Sequence, residues 1–277
     1  MKGTRFRPIL RECLGRLNRE IRIAFTPVPT GKTWLFLVGC YNSGTTLLAE
    51  LLGQHPSISA LPTEGHFITD QFVKDYEIGL PRMWVDREDI FRLTETDEGP
   101  DPERIKKEWG MRLDLDRPVL LEKSPSNTAK TRWLQKHFEN AHFIGIVRNG
   151  YAVAEGISRK AEPHHLAEGW PIEKSAWQWR RSNELLQQDA VHLNKFMWVS
   201  YEDLTSDTKR TLEQITEFVG IPGFGDFKSN RSWRIHEREE KVRDMNGESF
   251  QRLSRDQIDV INNVAGDMLD AFGYERL

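Results

Sequence analysis

WLFLVGCYNSGTTLLAELLGQHP, residues 34–56, decides how the whole chain is read. The apolar run Leu35 to Val38 leads into a turn bounded by Gly39 and Gly44, then into a helical pattern with Leu47, Leu48, Leu51 and Leu52 on one face. This is strand, loop and helix in succession. A tight loop after a parallel strand aims successive backbone N–H groups at one point, where the following helix N-terminus adds partial positive charge. Such a turn selects an anion.

The spacing Gly39-x-x-x-x-Gly44 is that of the nucleotide loop GxxxxGK[ST], with Thr45 where that loop carries its lysine. An ordinary strand-to-helix turn with two glycines reads the same way at this level. The choice between them rests on the residues further along the chain.

Gly53 and Pro56 stop the helix, and Ser57 to Leu61 reads as a short strand running into Pro62-Thr63-Glu64-Gly65-His66-Phe67. Glu64 therefore falls on a loop behind the anion site. A carboxylate repels a phosphate, so Glu64 is either a solvated surface acid or a general base for an acceptor hydroxyl or amine. Residues 68–117 are charge-rich with scattered aromatics and form either a substrate-facing cap or a helical decoration.

Three further apolar runs follow. Val119 to Leu121 ends in Glu122-Lys123, Phe143 to Val147 ends in Arg148, and Phe196 to Val199 ends in Ser200-Tyr201. Helical patterns lie between them, including Thr128 to Phe138 and Ala176 to Ala190. The alternation predicts an α/β fold of three layers, α/β/α, with a mainly parallel central sheet like that of the P-loop NTPases. Ligands of such sheets bind beyond the carboxyl ends of the strands. One edge would then carry the glycine loop, Lys123, Arg148 and Tyr201. Each is innocent alone, but together they suit a ligand with two separated phosphate groups and a base.

Composition narrows the partners. The chain has 42 acidic and 39 basic residues, net charge -3, which gives no general pull towards nucleic acid. Cys13 and Cys40 are too few for a disulfide framework and resemble no metal set, which fits a cytoplasmic compartment. No stretch approaches the ~18 apolar residues of a membrane span, and no signal-peptide core is present. Residues 1–32 read as a basic amphipathic helix and a linker, and 33–277 as a single domain. In the helix Ile9, Leu10, Cys13, Leu14, Leu17 and Ile21 recur at helical spacing among five arginines. Its stripe either packs on the domain or meets a membrane surface or a partner.

With these residues in view, the chain from Trp34 onwards resembles the sulfotransferases that use 3′-phosphoadenosine 5′-phosphosulfate (PAPS). Ser43-Gly44-Thr45-Thr46-Leu47-Leu48 is similar to their phosphosulfate loop. His55-Pro56 through Glu64-Gly65-His66-Phe67 and Glu122-Lys123-Ser124-Pro125-Ser126 resemble two segments of the carbohydrate sulfotransferases. Phe143 to Gly150 is similar to the 3′-phosphate strand, and Tyr201-Glu202-Asp203-Leu204 to the element whose tyrosine lies near the nucleotide.

The resemblance implies PAPS as donor, no metal, and a small-molecule or glycan acceptor. It further implies Glu64 as base and Lys123 at the transfer site. Asn42, Ser43, Gly44, Thr45 and Thr46 would lie on the 5′-phosphate, Arg148 on the 3′-phosphate, and Tyr201 near the nucleotide. The chain departs from the family pattern twice. Asn42 stands where the family has a basic residue, and Gly156 where it has a serine, with Ser158 two residues on. Two other readings stay open: a P-loop nucleotide kinase or NTPase, and a non-catalytic protein of the same fold that binds PAPS or its desulfated form, PAP. His164, His165, Trp170, Trp177 and Trp179 line an acceptor pocket or belong to a surface loop. The basic stretch 231–255 is expected to carry a loop over the nucleotide, and Ser254-x-x-Gln257 to cap the last helix.

Overall fold

β1 (Thr33–Gly39) lies at the centre of a five-stranded sheet, and its two faces define the two sides of the molecule. The other strands are β2 (Ile58–Ala60), β3 (Val119–Lys123), β4 (His142–Val147) and β5 (Phe196–Ser200). The order is β2-β3-β1-β4-β5 and every neighbouring pair is parallel. A separate antiparallel hairpin joins β6 (Trp233–Ile235) to β7 (Arg238–Glu240). This computed structural model describes residues 6–161, 169–225, 233–235 and 238–277.

The first half of the chain supplies helices α1 (Phe6–Phe25), α2 (Thr45–Leu52), α3 (Gly65–Ile68), α4 (Glu88–Phe91), α5 (Pro102–Gly110) and α6 (Thr131–His137). The second supplies α7 (Gly150–Lys160), α8 (Ile172–Ala190), α9 (Tyr201–Ser206), α10 (Thr208–Val219), α11 (Asn246–Phe250) and α12 (Arg255–Ala271). Side chains alternate across a strand, so β1 sends Leu35 and Leu37 to one side and Trp34, Phe36 and Val38 to the other. The first side packs on Leu48, Leu51 and Leu52 of α2 and on Leu212 and Ile215 of α10. The second packs on Trp109 of α5, Trp133 and Leu134 of α6, and Leu186 of α8. The expected three layers follow directly from that alternation.

The expected helix from Thr128 to Phe138 is two elements: a 3-10 segment over Pro125–Lys130, then α6. Pro125 opens the tighter turn, and the Thr128 hydroxyl is taken up by Gly39 of the loop, accepting from its N–H at 2.8 Å. α8 begins four residues before the expected Ala176, directly after Pro171. The capping box at Ser254 is formed as its spacing predicts.

α1 docks with its polar side inwards. Arg19 pairs with the buried Glu108 at 2.6 Å and with Asp70 at 3.1 Å, while Glu20 meets Arg104 at 2.8 Å. Ile23 is buried, whereas Leu14, Leu17, Ile21 and Phe25 are 58%, 57%, 47% and 85% exposed. Packing of the apolar stripe on the domain, one of the two sequence readings, is therefore not what these residues do. No described helix is long and apolar enough to cross a membrane.

Candidate functional site

The loop between β1 and α2 is fixed by contacts that only glycine tolerates. Gly39 has φ 144°, and a Cβ there would come within 2.4 Å of the Ile146 carbonyl oxygen. Gly44 has φ 97° and caps α2, and a Cβ there would meet the Tyr201 ring at 2.7 Å. Between them Asn42 adopts a left-handed φ of 61°. Asn42 Nδ2 and Ser43 Oγ are buried with no hydrogen-bond partner among the described residues. Buried polar atoms are nearly always satisfied, so these two fit an anion seated in the loop.

β3 brings its terminal lysine to the same place. Lys123 Nζ donates to Glu64 Oε1 at 2.8 Å and to Thr46 Oγ1 at 3.2 Å, so one ammonium joins the candidate base to the loop helix. Both side chains of the ion pair are largely buried. Glu64 is set by Glu122, one of the site residues that sequence reasoning missed. The buried Glu122 carboxylate accepts from Gly65 N–H at 2.9 Å, from Asn127 Nδ2 at 2.7 Å and from the Ser124 hydroxyl. Burial raises its pKa, against the hydrogen bonds that favour its charged form.

His66 Nδ1 approaches Glu64 at 3.7 Å. Burial, then Lys130, Lys123 and Lys74, push the His66 pKa down to about 3, so the ring is neutral near neutral pH and the approach is no ion pair. Lys130 is itself buried, and desolvation lowers its pKa to about 7.

On the other side of β1, Arg148 lies over the Tyr201 ring at 4.1 Å, donates from Nε to Asn246 at 2.7 Å and from Nη1 to the Asn42 carbonyl at 3.1 Å. Glu202 orients this group. It accepts from Asn246 at 2.7 Å, from Asn149 N–H at 3.0 Å and from the Tyr274 hydroxyl at 3.0 Å. Tyr201 and the segment after β7 are tied together, since the Tyr201 hydroxyl donates to the Arg243 carbonyl and accepts from Met245 N–H.

The loop, Glu64, Arg148 and Tyr201 come together around a cavity of about 480 Å³. Asn42, Gly44, Thr45, Thr46, Glu64, Arg148 and Tyr201 line it, with Lys123 at its edge through Glu64 and Thr46. Residues 241–252 contribute Lys241, Arg243 and Arg252, so the basic stretch singled out in the sequence borders the site. Arg82, Arg159 and Lys160 line it too, and sequence reasoning missed all three. For the two on α7 the spacing Ala152, Gly156, Lys160 was the available signal, because residues four apart share a helix face. Glu64 is the only acid in the cavity wall among the described residues, so the wall is strongly electropositive.

The tryptophans are elsewhere. Trp170 donates to the Pro81 carbonyl at 2.8 Å and Trp179 to the Arg148 carbonyl at 3.0 Å, both from the hydrophobic core, and Trp177 is exposed. His164 and His165 lie outside the described residues.

A family model described as "Sulfotransferase family" matches residues 35–226. No curated protein matches the chain. Among solved structures it is similar to the sulfotransferase domain of the Synechococcus PCC 7002 olefin synthase, at 19% identity and TM-score 0.54, covering 90% of this chain and 98% of that one. The sulfotransferase domain from the curacin biosynthetic pathway gives 19%, 0.53, 89% and 99% for the same quantities. Sulfotransferase STF9 from Mycobacterium avium gives 16%, 0.54, 94% and 81%. At these identities the likeness is one of fold.

Proposed function

From the premise that the chain belongs to the sulfotransferase family, we propose that it transfers a sulfuryl group from PAPS to a hydroxyl or amine of a small-molecule or glycan acceptor. The observation that carries this reading is Lys123, joined at once to Glu64 and to Thr46 of the loop helix. PAPS supplies an activated sulfuryl group when bound. The N–H groups of residues 43–46, with the Thr45 and Thr46 hydroxyls, hold the 5′-phosphate side, and the unsatisfied Asn42 and Ser43 atoms suit that load.

Glu64 accepts the acceptor's proton as the new bond to sulfur forms. Lys123 neutralises the charge that grows on the bridging oxygen as the old bond to sulfur breaks. Because Asn42 brings no charge, a larger share of that task falls to Lys123 and to other cations of the wall. Arg148 grips the 3′-phosphate, the group that separates this donor from ADP and ATP, with its guanidinium pre-oriented by Asn246 and Tyr201.

Asn42 also favours a second reading, a protein that binds PAP or PAPS without transferring the group. The deciding experiment is thermal stabilisation by PAP against ADP, since a ligand of the native state raises apparent stability by mass action. PAP should give the larger shift, and Arg148→Ala should erase the difference. A preference for ADP overturns the donor assignment, and PAP binding without transfer to any acceptor selects the second reading.

Peripheral membrane contact through α1 belongs to the same proposal. Residues 1–25 carry seven Lys and Arg against Glu12 and Glu20, in a chain of net charge -3, and the outward stripe of α1 is apolar. An apolar stripe flanked by arginines suits an anionic lipid surface. A cytoplasmic location is consistent with the free, buried Cys40.

A further inference from the structure

Two cations beside the loop are already committed. Lys123 is held by Glu64 at 2.8 Å, and Arg148 is held by Asn246 and stacked on Tyr201. Asn42, at the loop position where a cation would serve the transferred group, is uncharged. Its carbonyl accepts from Arg148, and its side chain rests against α7, where a Cβ at position 156 would lie 3.3 Å from Asn42 Cγ.

Arg82 differs from all of these. It lines the same cavity as Tyr41, Thr46 and Glu64, yet its guanidinium pairs with no carboxylate among the described residues. Its backbone is held in the left-handed region, φ 62°, which a non-glycine residue keeps only where its surroundings enforce it. The enforcing group is Asp75. The buried Asp75 carboxylate accepts from Arg82 N–H at 2.8 Å, from the Tyr41 hydroxyl at 2.8 Å and from Tyr76 N–H at 2.8 Å. Tyr41 is the loop residue directly before Asn42. One carboxylate therefore fixes the position of Arg82 relative to the loop itself, through a chain of two hydrogen bonds. Arg82 shares the cavity wall with Tyr41 and with Lys160 of α7.

We propose that Arg82 is the cation that contacts the sulfuryl group of PAPS in this chain, serving in place of the basic residue that the loop lacks at Asn42. The assignment rests on the PAPS reading given above. A strained backbone, a buried acid holding it, and a guanidinium without a carboxylate partner among the described residues, on a residue that lines an electropositive cavity, are the features of a positioned binding residue.

The test compares two ligands that differ only in the sulfuryl group. Calorimetric affinities for PAP and PAPS are measured with the wild-type chain and with Arg82→Ala, Arg82→Lys and Lys160→Ala. Arg82→Ala should lose about tenfold or more for PAPS and less than about twofold for PAP, the span expected of one charge-assisted contact. Arg82→Lys should recover part of the PAPS affinity. Retained PAP binding certifies that each variant is folded. Equal losses for both ligands, no loss for either, or a selective loss in Lys160→Ala instead, overturns the proposal. A wild-type chain that binds neither ligand removes the donor reading, and the role of Arg82 falls with it.

Discussion

The side chain of Asn42 rests on Gly156: a Cβ at position 156 would lie 3.3 Å from Asn42 Cγ and 3.4 Å from Asn42 Cβ. These are the two positions at which the chain departs from the family's motifs, and their contact makes the departures one change. A serine at 156 would compete with Asn42 for the same space. Ser158 is no substitute for it, because its hydroxyl donates to the Trp170 carbonyl. Gly156→Ser should therefore cost about 1 kcal/mol or more by overpacking, and the double variant Asn42→Ala with Gly156→Ser should recover most of it. Denaturant midpoints of the single and double variants give the coupling directly, and additive effects would show that the two sites are independent.

Lys123 and Glu64 form one pair, yet the proposed mechanism gives them different charges to handle. Lys123→Ala removes the cation that meets the leaving oxygen, and Glu64→Gln removes the proton acceptor while keeping the shape. Each should lower turnover about 10² to 10³-fold, with PAP affinity changed far less. The double variant should fall well short of the product of the two losses, since residues acting as a unit are not additive. Near-wild-type turnover in both single variants would remove the assigned roles.

The buried His66 ties stability to pH. Its folded-state pKa, about 3, lies below the ordinary 6.5, so the unfolded chain takes up a proton that the native chain refuses. The contribution of the neutral ring is complete above pH 6.5 and is lost as pH falls towards about 3. Lys130, lowered to about 7 from 10.5, acts in the same direction at higher pH, favouring the native state as pH rises through that interval. His66→Gln should reduce the slope of unfolding free energy against pH, between about pH 6 and 4, by up to one proton. An unchanged slope would mean that the His66 ring titrates alike in both states.

How much of this was legible beforehand depends on whether a residue's neighbours are local. The loop, Lys123, Arg148 and Tyr201 sit at the ends of unbroken apolar strands, and the rule that parallel sheets bind at their carboxyl edge brings them together without further information. Glu64 was legible for the same reason, one short strand away. Arg82 was not. It lies in a segment of 3-10 turns, Tyr76–Ile78 and Trp84–Arg87, that has no period to read, and its place depends on Asp75 reaching both it and Tyr41. Glu122 was hidden differently, as an apparent strand-end charge that is fully buried beneath Gly65. The helix broken at Lys130 was misread because Thr128 answers to the loop 89 residues away rather than to its own turn.

α1 gives the opposite case, in which the periodicity was plain and the packing reversed its expected sense. The helix holds to the body through Arg19, Glu20 and Ile23, leaving Leu14, Leu17, Ile21 and Phe25 to the outside. Hydrophobic burial favours covering such a stripe, and the basic residues of the segment select what covers it. On the membrane reading proposed above, an anionic bilayer would meet both the stripe and the basic residues of the segment, and a second copy of the chain is the alternative occupant. Vesicles containing about 30% phosphatidylserine should sediment the protein, phosphatidylcholine vesicles far less, and raised salt should weaken the binding. Leu17→Glu with Ile21→Glu should abolish sedimentation without altering PAP affinity, because neither side chain touches the cavity. Equal binding to both lipids would remove the electrostatic part of the argument. Dimerisation lost in the same variant would assign the stripe to a second copy of the chain.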